Sequence, residues 1–252
     1  MKVILASTLG ASVKVNGDWV PSALMEENGM VDRIKSYWKD DAKVLLFSAY
    51  PDDYEINDSV FHCFKEAFLM SGLPYASFEM CDDRNEEIIN RLGEMDAIIL
   101  AGGHVPTENA FMQKLGLKEK LEGFRGLVMA LSAGSMNSAE LVYATPELDG
   151  EALDPEYQRW IPGLGLTRTN IFPHFQWLRG QMLDGLRMVE DIIYPDSMGH
   201  EIIALNDGSY LLIDNGVETV YGEAYSIKDG CMQQICRSGE SVALIQATDR
   251  VV

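Results

Sequence analysis

The chain has 252 residues, 47% of them hydrophobic and 23% charged, and its 39 acidic and 20 basic side chains give a formal net charge of −19. That length buries a sizeable core without disulfide or metal staples. The acidic balance argues against a nucleic-acid partner, which needs a concentrated basic surface, and against docking on an anionic membrane.

Four cysteines (Cys63, Cys81, Cys231 and Cys236) form no CxxC pair, and no His/Cys cluster has zinc spacing, so no metal or other cofactor is expected. Sparse cysteine suits a reducing compartment. The apolar run at the N-terminus lacks the length and cleavage pattern of a signal peptide. No apolar stretch approaches the roughly 18–20 residues that span a bilayer. The expectation is a cytoplasmic protein with one domain over residues 1–252.

Residues 3–6 read as a short buried strand that meets the loop Ser7-Thr8-Leu9-Gly10. Residues 22–38 place Leu24, Met25, Val31, Ile34 and Trp38 at helical spacing. A second apolar strand covers 43–49 and stops at Pro51. Asp58 is the expected N-cap of a helix that runs to Met70, with Gly72 as its stop. Strands are predicted at 75–80, 97–101 and 126–131, separated by helical patterns at 85–92 and 109–121, the latter kinked at Gly116. Residues 135–143 also look helical. Residues 144–165 are rich in Pro, Glu, Asp and Gly without a period and read as a long loop. Helical spacing returns over 178–193. From residue 201 onward the chain reads as hairpins about Asn206-Asp207-Gly208, Asp214-Asn215-Gly216 and Lys228-Asp229-Gly230.

Continuous apolar strands separated by helices imply a parallel sheet covered on both faces. Such sheets bind ligands at the carboxyl ends of their strands. Three loops of small residues fall at that edge, after the strands at 3–6, 97–101 and 126–131.

The last of these strands runs directly into Ser132-Ala133-Gly134. A serine between a strand and a helix sits in a tight bend that needs small neighbours, the geometry of a nucleophile elbow. The Ala133 N–H would be one oxyanion donor, and Gly102-Gly103 could bring a second backbone N–H close. The bland alternative is a strand-to-helix turn whose small residues serve packing alone. Ser135 is a rival nucleophile, but it should lie inside the helix. A serine nucleophile needs a base, usually His. His62 reads as mid-helix and His200 as a loop residue. His104 follows Gly102-Gly103 and could line the pocket. His174 lies in Ile171-Phe172-Pro173-His174-Phe175, a polar ring among apolar neighbours that needs a partner.

Taken together, Ala101-Gly102-Gly103-His104-Val105-Pro106-Thr107, Ser132-Ala133-Gly134 and Phe172-Pro173-His174-Phe175 resemble the ordered motifs of the peptidase E and cyanophycinase group, the S51 serine peptidases. The resemblance spans roughly residues 43–215. It implies the fold of class I glutamine amidotransferases: a flavodoxin-like three-layer α/β sandwich with a mostly parallel central sheet, here with a hairpin-rich C-terminal edge. Those amidotransferases carry Cys at the elbow, and this chain carries Ser. The resemblance also implies a triad of Ser132, His174 and an acid. By spacing the acid falls first on Glu147, with Asp207 as the alternative. Gly102, Gly103, His104 and Ala133 would surround the oxyanion and substrate.

Two departures bear on the substrate. Bulk enters the glycine loop at His104-Val105-Pro106, and Leu131 stands where peptidase E has Trp. Peptidase E binds an N-terminal aspartyl residue, for which a pocket Arg is expected. Arg168, Arg179 and Arg187 are near in sequence, with none assigned. The expected activity is hydrolysis of a small peptide or isopeptide, with homodimerisation left open. The reading from another class is a ligand-binding relative without turnover.

Overall fold

The computed structural model describes residues 1–245. Residues 246–252, the end of the expected 1–252 unit, lie outside the described residues. The five predicted apolar strands form as Lys2–Ala6, Ala42–Phe47, Tyr75–Cys81, Ala97–Leu100 and Leu127–Leu131. They pair in parallel, and the spatial order from one edge is 75–81, 42–47, 97–100, 127–131, 2–6. Three antiparallel strands, Tyr210–Asp214, Val217–Tyr221 and Ser241–Ile245, extend the sheet beyond Lys2–Ala6 to eight strands. This is a mixed α/β, flavodoxin-like architecture with a mostly parallel central sheet.

Side chains alternate along each strand between two apolar layers, as the pleat requires. Val3, Leu5, Leu45, Phe47, Ile98, Leu100, Val128 and Ala130 face one layer, which is filled by Ile88, Phe111 and Leu121. Ile4, Ala6, Val44, Leu46, Ile99 and Met129 face the other, filled by Ile34, Phe64 and Phe68. Burial on both faces explains why these strands read as unbroken apolar runs.

A second sheet of four strands, ordered Asn170–Phe172, Glu201–Leu205, Ala224–Lys228 and Cys231–Cys236, packs beside the first layer. Ile171, Ile203 and Leu205 enter the core shared with the central sheet. Phe172, Ile202 and Ala204 enter a separate cluster with Phe175, Met188 and Ile192.

Several local expectations are corrected. Residues 22–26 are not helical, and Glu27–Gly29 is only a short 3-10 turn. Asp18–Leu24 is a strand that pairs with Gly10–Val15, and the helix is confined to Met30–Lys35. The turn between the two strands is Asn16-Gly17, both at positive φ, a strong short-range hairpin signal. The helix expected from Asp58 starts at Tyr54. Asp53 is its cap, accepting the Ile56 N–H at 3.1 Å. The helix after the elbow ends at Asn137, and Leu141–Tyr143 is a strand paired with Trp160–Pro162. Residues 178–193 do not form one helix. A small hairpin, Met182–Leu183 with Leu186–Arg187, turns through Asp184 and Gly185, both at positive φ, before the single wide helical turn Met188–Ile193.

The strands flanking Asn206-Asp207-Gly208 do not pair with each other. Glu201–Leu205 belongs to the second sheet and Tyr210–Asp214 to the central one. The turn is a crossing between sheets. Because Tyr210–Asp214 runs antiparallel to Lys2–Ala6, its first residues lie at the carboxyl edge of the parallel strands.

Candidate active site

Ser132 has φ 49° and ψ −118°, a conformation that side chains other than glycine's rarely adopt. It joins Leu127–Leu131 to the helix Ala133–Asn137. Its N–H donates to the carbonyls of Ala6 (3.2 Å) and Ser7 (3.1 Å), which fastens the bend to the neighbouring strand. The small residues around it have steric reasons. A Cβ on Gly134 would lie 2.6 Å from the Leu100 and Ala101 oxygens, and one on Gly102 would lie 2.9 Å from the Ser132 Cβ. Ser135 is buried and donates to the Ala6 carbonyl at 2.8 Å, a structural role.

His174 follows the strand Asn170–Phe172 and stands in the left-handed region at φ 55°, immediately before the short helix Phe175–Leu178. Its Nε2 lies 3.0 Å from the Ser132 Oγ, and its Nδ1 lies 2.7 Å from the Asp207 Oδ1. An ionised carboxylate only accepts, so the ring proton is on Nδ1 and Nε2 is left to accept from the serine hydroxyl.

Asp207 is held by further donors. The Ser7 hydroxyl donates to its Oδ1 at 2.7 Å and the Trp177 indole N–H to its Oδ2 at 3.1 Å. Burial pushes the Asp207 carboxyl up, but hydrogen bonds from His174 and Ser7 outweigh it and hold the group below its ordinary value. Ser7 is itself fully buried, and its Oγ accepts the His174 N–H at 2.7 Å. One side chain at the end of the first strand therefore fixes both the strained backbone of His174 and the carboxylate beside its ring.

The structure thus brings Ser132, His174 and Asp207 into one hydrogen-bonded line. Glu147, the acid expected first, makes no contact with the His174 Nδ1, whose place Asp207 takes. The correction has a topological reason, since the sheet crossing at 206–208 delivers Asp207 to the carboxyl edge. Glu147 instead lies on the other side of the nucleophile, in a cavity it shares with Ser132 and His174.

The N–H groups of Gly102 and Ala133, neither of which makes a backbone hydrogen bond, lie beside Ser132, while Gly103 packs against Ala49 and the Tyr50 ring. His104 turns away from it. Its Nδ1 meets the Thr107 Oγ1 at 2.8 Å and its Nε2 the Glu151 Oε1 at 2.9 Å. Through its Oε2, Glu151 also accepts the N–H groups of Glu147 and Leu148, so His104 anchors the 147–151 loop. His62 is exposed on its helix, and His200 stacks on Trp160. Arg168 pairs with Glu140, Arg187 pairs with Asp191, and Arg179 lies over the Phe175 ring.

Sequence reasoning passed over Ser7, Gln176 and Trp177. The loop Ser7-Thr8-Leu9-Gly10 at the carboxyl edge was the available signal for Ser7. Nothing local marks Gln176, which accepts the Asp207 N–H at 2.9 Å, or Trp177. Among the described residues, no group of three or more His, Cys, Asp or Glu side chains is placed to hold a metal ion. Nor is any helix there long and apolar enough to cross a membrane.

A flavodoxin-like sheet with a Ser–His–Asp line at its carboxyl edge defines an α/β protein of the peptidase E fold. A peptidase E-like protein from Listeria monocytogenes EGD-e superposes over 93% of this chain and 98% of its own, with a TM-score of 0.54 and 14% sequence identity. The chain belongs to peptidase family S51, whose profile it matches over residues 23–220. No curated protein matches it.

Proposed function

We propose that this peptidase is a serine peptidase that cleaves a small peptide or isopeptide through an acyl-enzyme on Ser132. The observation that carries the reading is the continuous line from the Ser132 Oγ through the His174 ring to Asp207. As the Ser132 Oγ attacks the scissile carbonyl carbon, its proton passes to the His174 Nε2. The Asp207 carboxylate holds the ring in the correct tautomer and offsets the imidazolium charge. The Ala133 N–H and the Gly102 or Gly103 N–H receive the oxyanion. The imidazolium then gives its proton to the departing amine, the C–N bond breaks, and an ester on Ser132 remains. Water, deprotonated by His174, attacks that ester, and Ser132 regains its proton. No step calls for a metal or organic cofactor.

A reducing cytoplasm is the proposed setting, in keeping with four free thiols, three of them buried. A fluorophosphonate probe tests the mechanism. Labelling should map to Ser132, disappear in Ser132→Ala and fall sharply in His174→Ala. An unlabelled protein that is stabilised by peptides but never cleaves them would instead be a binding relative.

A further inference from the structure

Two cavities meet at Ser132 and His174. The larger, of about 1000 Å³, runs between the Gly10–Leu24 hairpin and the Tyr54–Met70 helix, with Val13, Trp19, Ile56 and Val60 in its walls. The smaller, of about 260 Å³, is walled by Met136, Phe172, Pro173, Leu178 and Met188 and carries Glu147. Neither cavity is lined by a Lys or Arg. Among the described residues, a substrate carboxylate such as an aspartyl side chain therefore finds no Lys or Arg in either cavity.

The opposite charge does find a site. Glu147 lines this cavity, and among the described residues it makes no ion pair with a Lys or Arg. Its apolar surroundings and the neighbouring Glu151 carboxylate raise it to about 8, and a cation seated against it would lower it. Thr145 lines the same wall with its buried hydroxyl, beside the Tyr143 phenol. A carboxylate and a hydroxyl oxygen beyond an apolar sleeve fit an ammonium or guanidinium head on an aliphatic stem.

We propose that the small cavity selects the residue whose carbonyl Ser132 attacks, and that it takes a lysine- or arginine-type side chain with its cationic head on Glu147. This rests on the serine-peptidase reading above. The larger groove is left to the rest of the peptide.

The test compares kcat/KM for X-Ala dipeptides with X as lysine, arginine, norleucine, Nε-acetyl-lysine and aspartate, together with Nα-acetyl-Lys-Ala. A hydrogen-bonded charge should favour lysine over norleucine by about tenfold or more, and Glu147→Gln should bring that ratio to within about threefold. Equal rates for lysine and norleucine, a preference for aspartate, or a lysine preference that survives Glu147→Gln would overturn the proposal. Loss of the Glu147 effect on Nα- but not Nε-acetylation would assign the site to the α-amine and overturn it as well.

Labelling of Ser132 separates this failure from failure of the parent reading. A labelled enzyme without lysine preference keeps the mechanism and loses the pocket assignment. If Ser132 is neither labelled nor able to cleave, the mechanism fails. The pocket is then read by thermal shift, where lysinamide should stabilise more than norleucinamide and the difference should vanish in Glu147→Gln. No difference would overturn it.

Discussion

Asp207→Asn is the sharpest test of the proposed acid. Three donors converge on the Asp207 carboxylate: the His174 Nδ1–H, the Ser7 hydroxyl and the Trp177 indole. An asparagine offers one acceptor oxygen. With that oxygen in the Oδ1 position, the bonds from His174 and Ser7 persist as neutral ones. The amide NH₂ then faces Trp177, an exposed side chain that can swing into solvent. The substitution should leave the fold and the Ser132–His174 distance nearly intact while removing the charge that offsets the imidazolium. In triads of this kind the loss is about 10⁴ in kcat, or roughly 5.5 kcal/mol of transition-state stabilisation. Asp207 is only partly buried, so a loss of about 10³–10⁴ is expected. The assay is the rate of fluorophosphonate labelling and of peptide hydrolysis, with circular dichroism to show the fold retained. If Asp207→Asn stayed within about tenfold of the parent while Glu147→Gln lost about 10³, Glu147 would be the acid, and delivery of the acid by the sheet crossing would be refuted.

Ser7→Ala removes the oxygen shared by the His174 N–H and Asp207. It should lower kcat by about tenfold to a hundredfold with little change in KM, and cost about 1–3 kcal/mol in urea unfolding for the N–H left unpaired. Gly134→Ala would drive a Cβ to 2.6 Å from two backbone oxygens, and a loss of about 2–3 kcal/mol is expected in the same measurement. Glu147 makes stability depend on pH. Its folded carboxyl lies at about 8, above its ordinary value of 4.5, so the folded state binds the extra proton between those limits. Stability conferred by the protonated group therefore falls as pH rises from about 5 to 8. Of the groups facing it, Glu151, Glu108, Tyr50 and Tyr157 carry no positive charge, and His174 lines the same cavity. Thermal unfolding of Glu147→Gln should show a gain over the parent that is larger at pH 8 than at pH 5. A gain of the same size at both would contradict the assignment.

The parallel core was legible because strands buried on both faces are apolar without interruption, and five such runs stand out. The elbow was legible for a related reason, since Ser132-Ala133-Gly134 needs small residues at each step and sequence displays size directly. What failed was pairing. Residues 201–213 look like one hairpin because Asn206-Asp207-Gly208 has the composition of a tight turn, and composition does not say which sheet each strand joins. Glu147 stood first because the spacing implied by the resemblance lands on it, and the hairpin reading gave no reason to bring Asp207 to His174. Residues 22–29 misled by periodicity. Leu24 and Met25 fit a helical stripe with Val31 and Ile34, while the Asn16-Gly17 turn pointed to the hairpin that forms. The loop at Ser7 was legible as part of the carboxyl edge, but its partners could not be, because they lie 167 and 200 positions away.

Under the proposed mechanism, the crossing at 206–208 also governs when the molecule can react. The proposed nucleophile is carried by one sheet, the proposed base follows a strand of the other, and the proposed acid lies on the segment that passes between them. A chain still being synthesised has an elbow long before it has Asp207, and a partly unfolded one keeps all three side chains without their line. Reactivity is therefore a property of the docked pair of sheets. Under that mechanism, docking of the two sheets is what completes the line from Ser132 to Asp207.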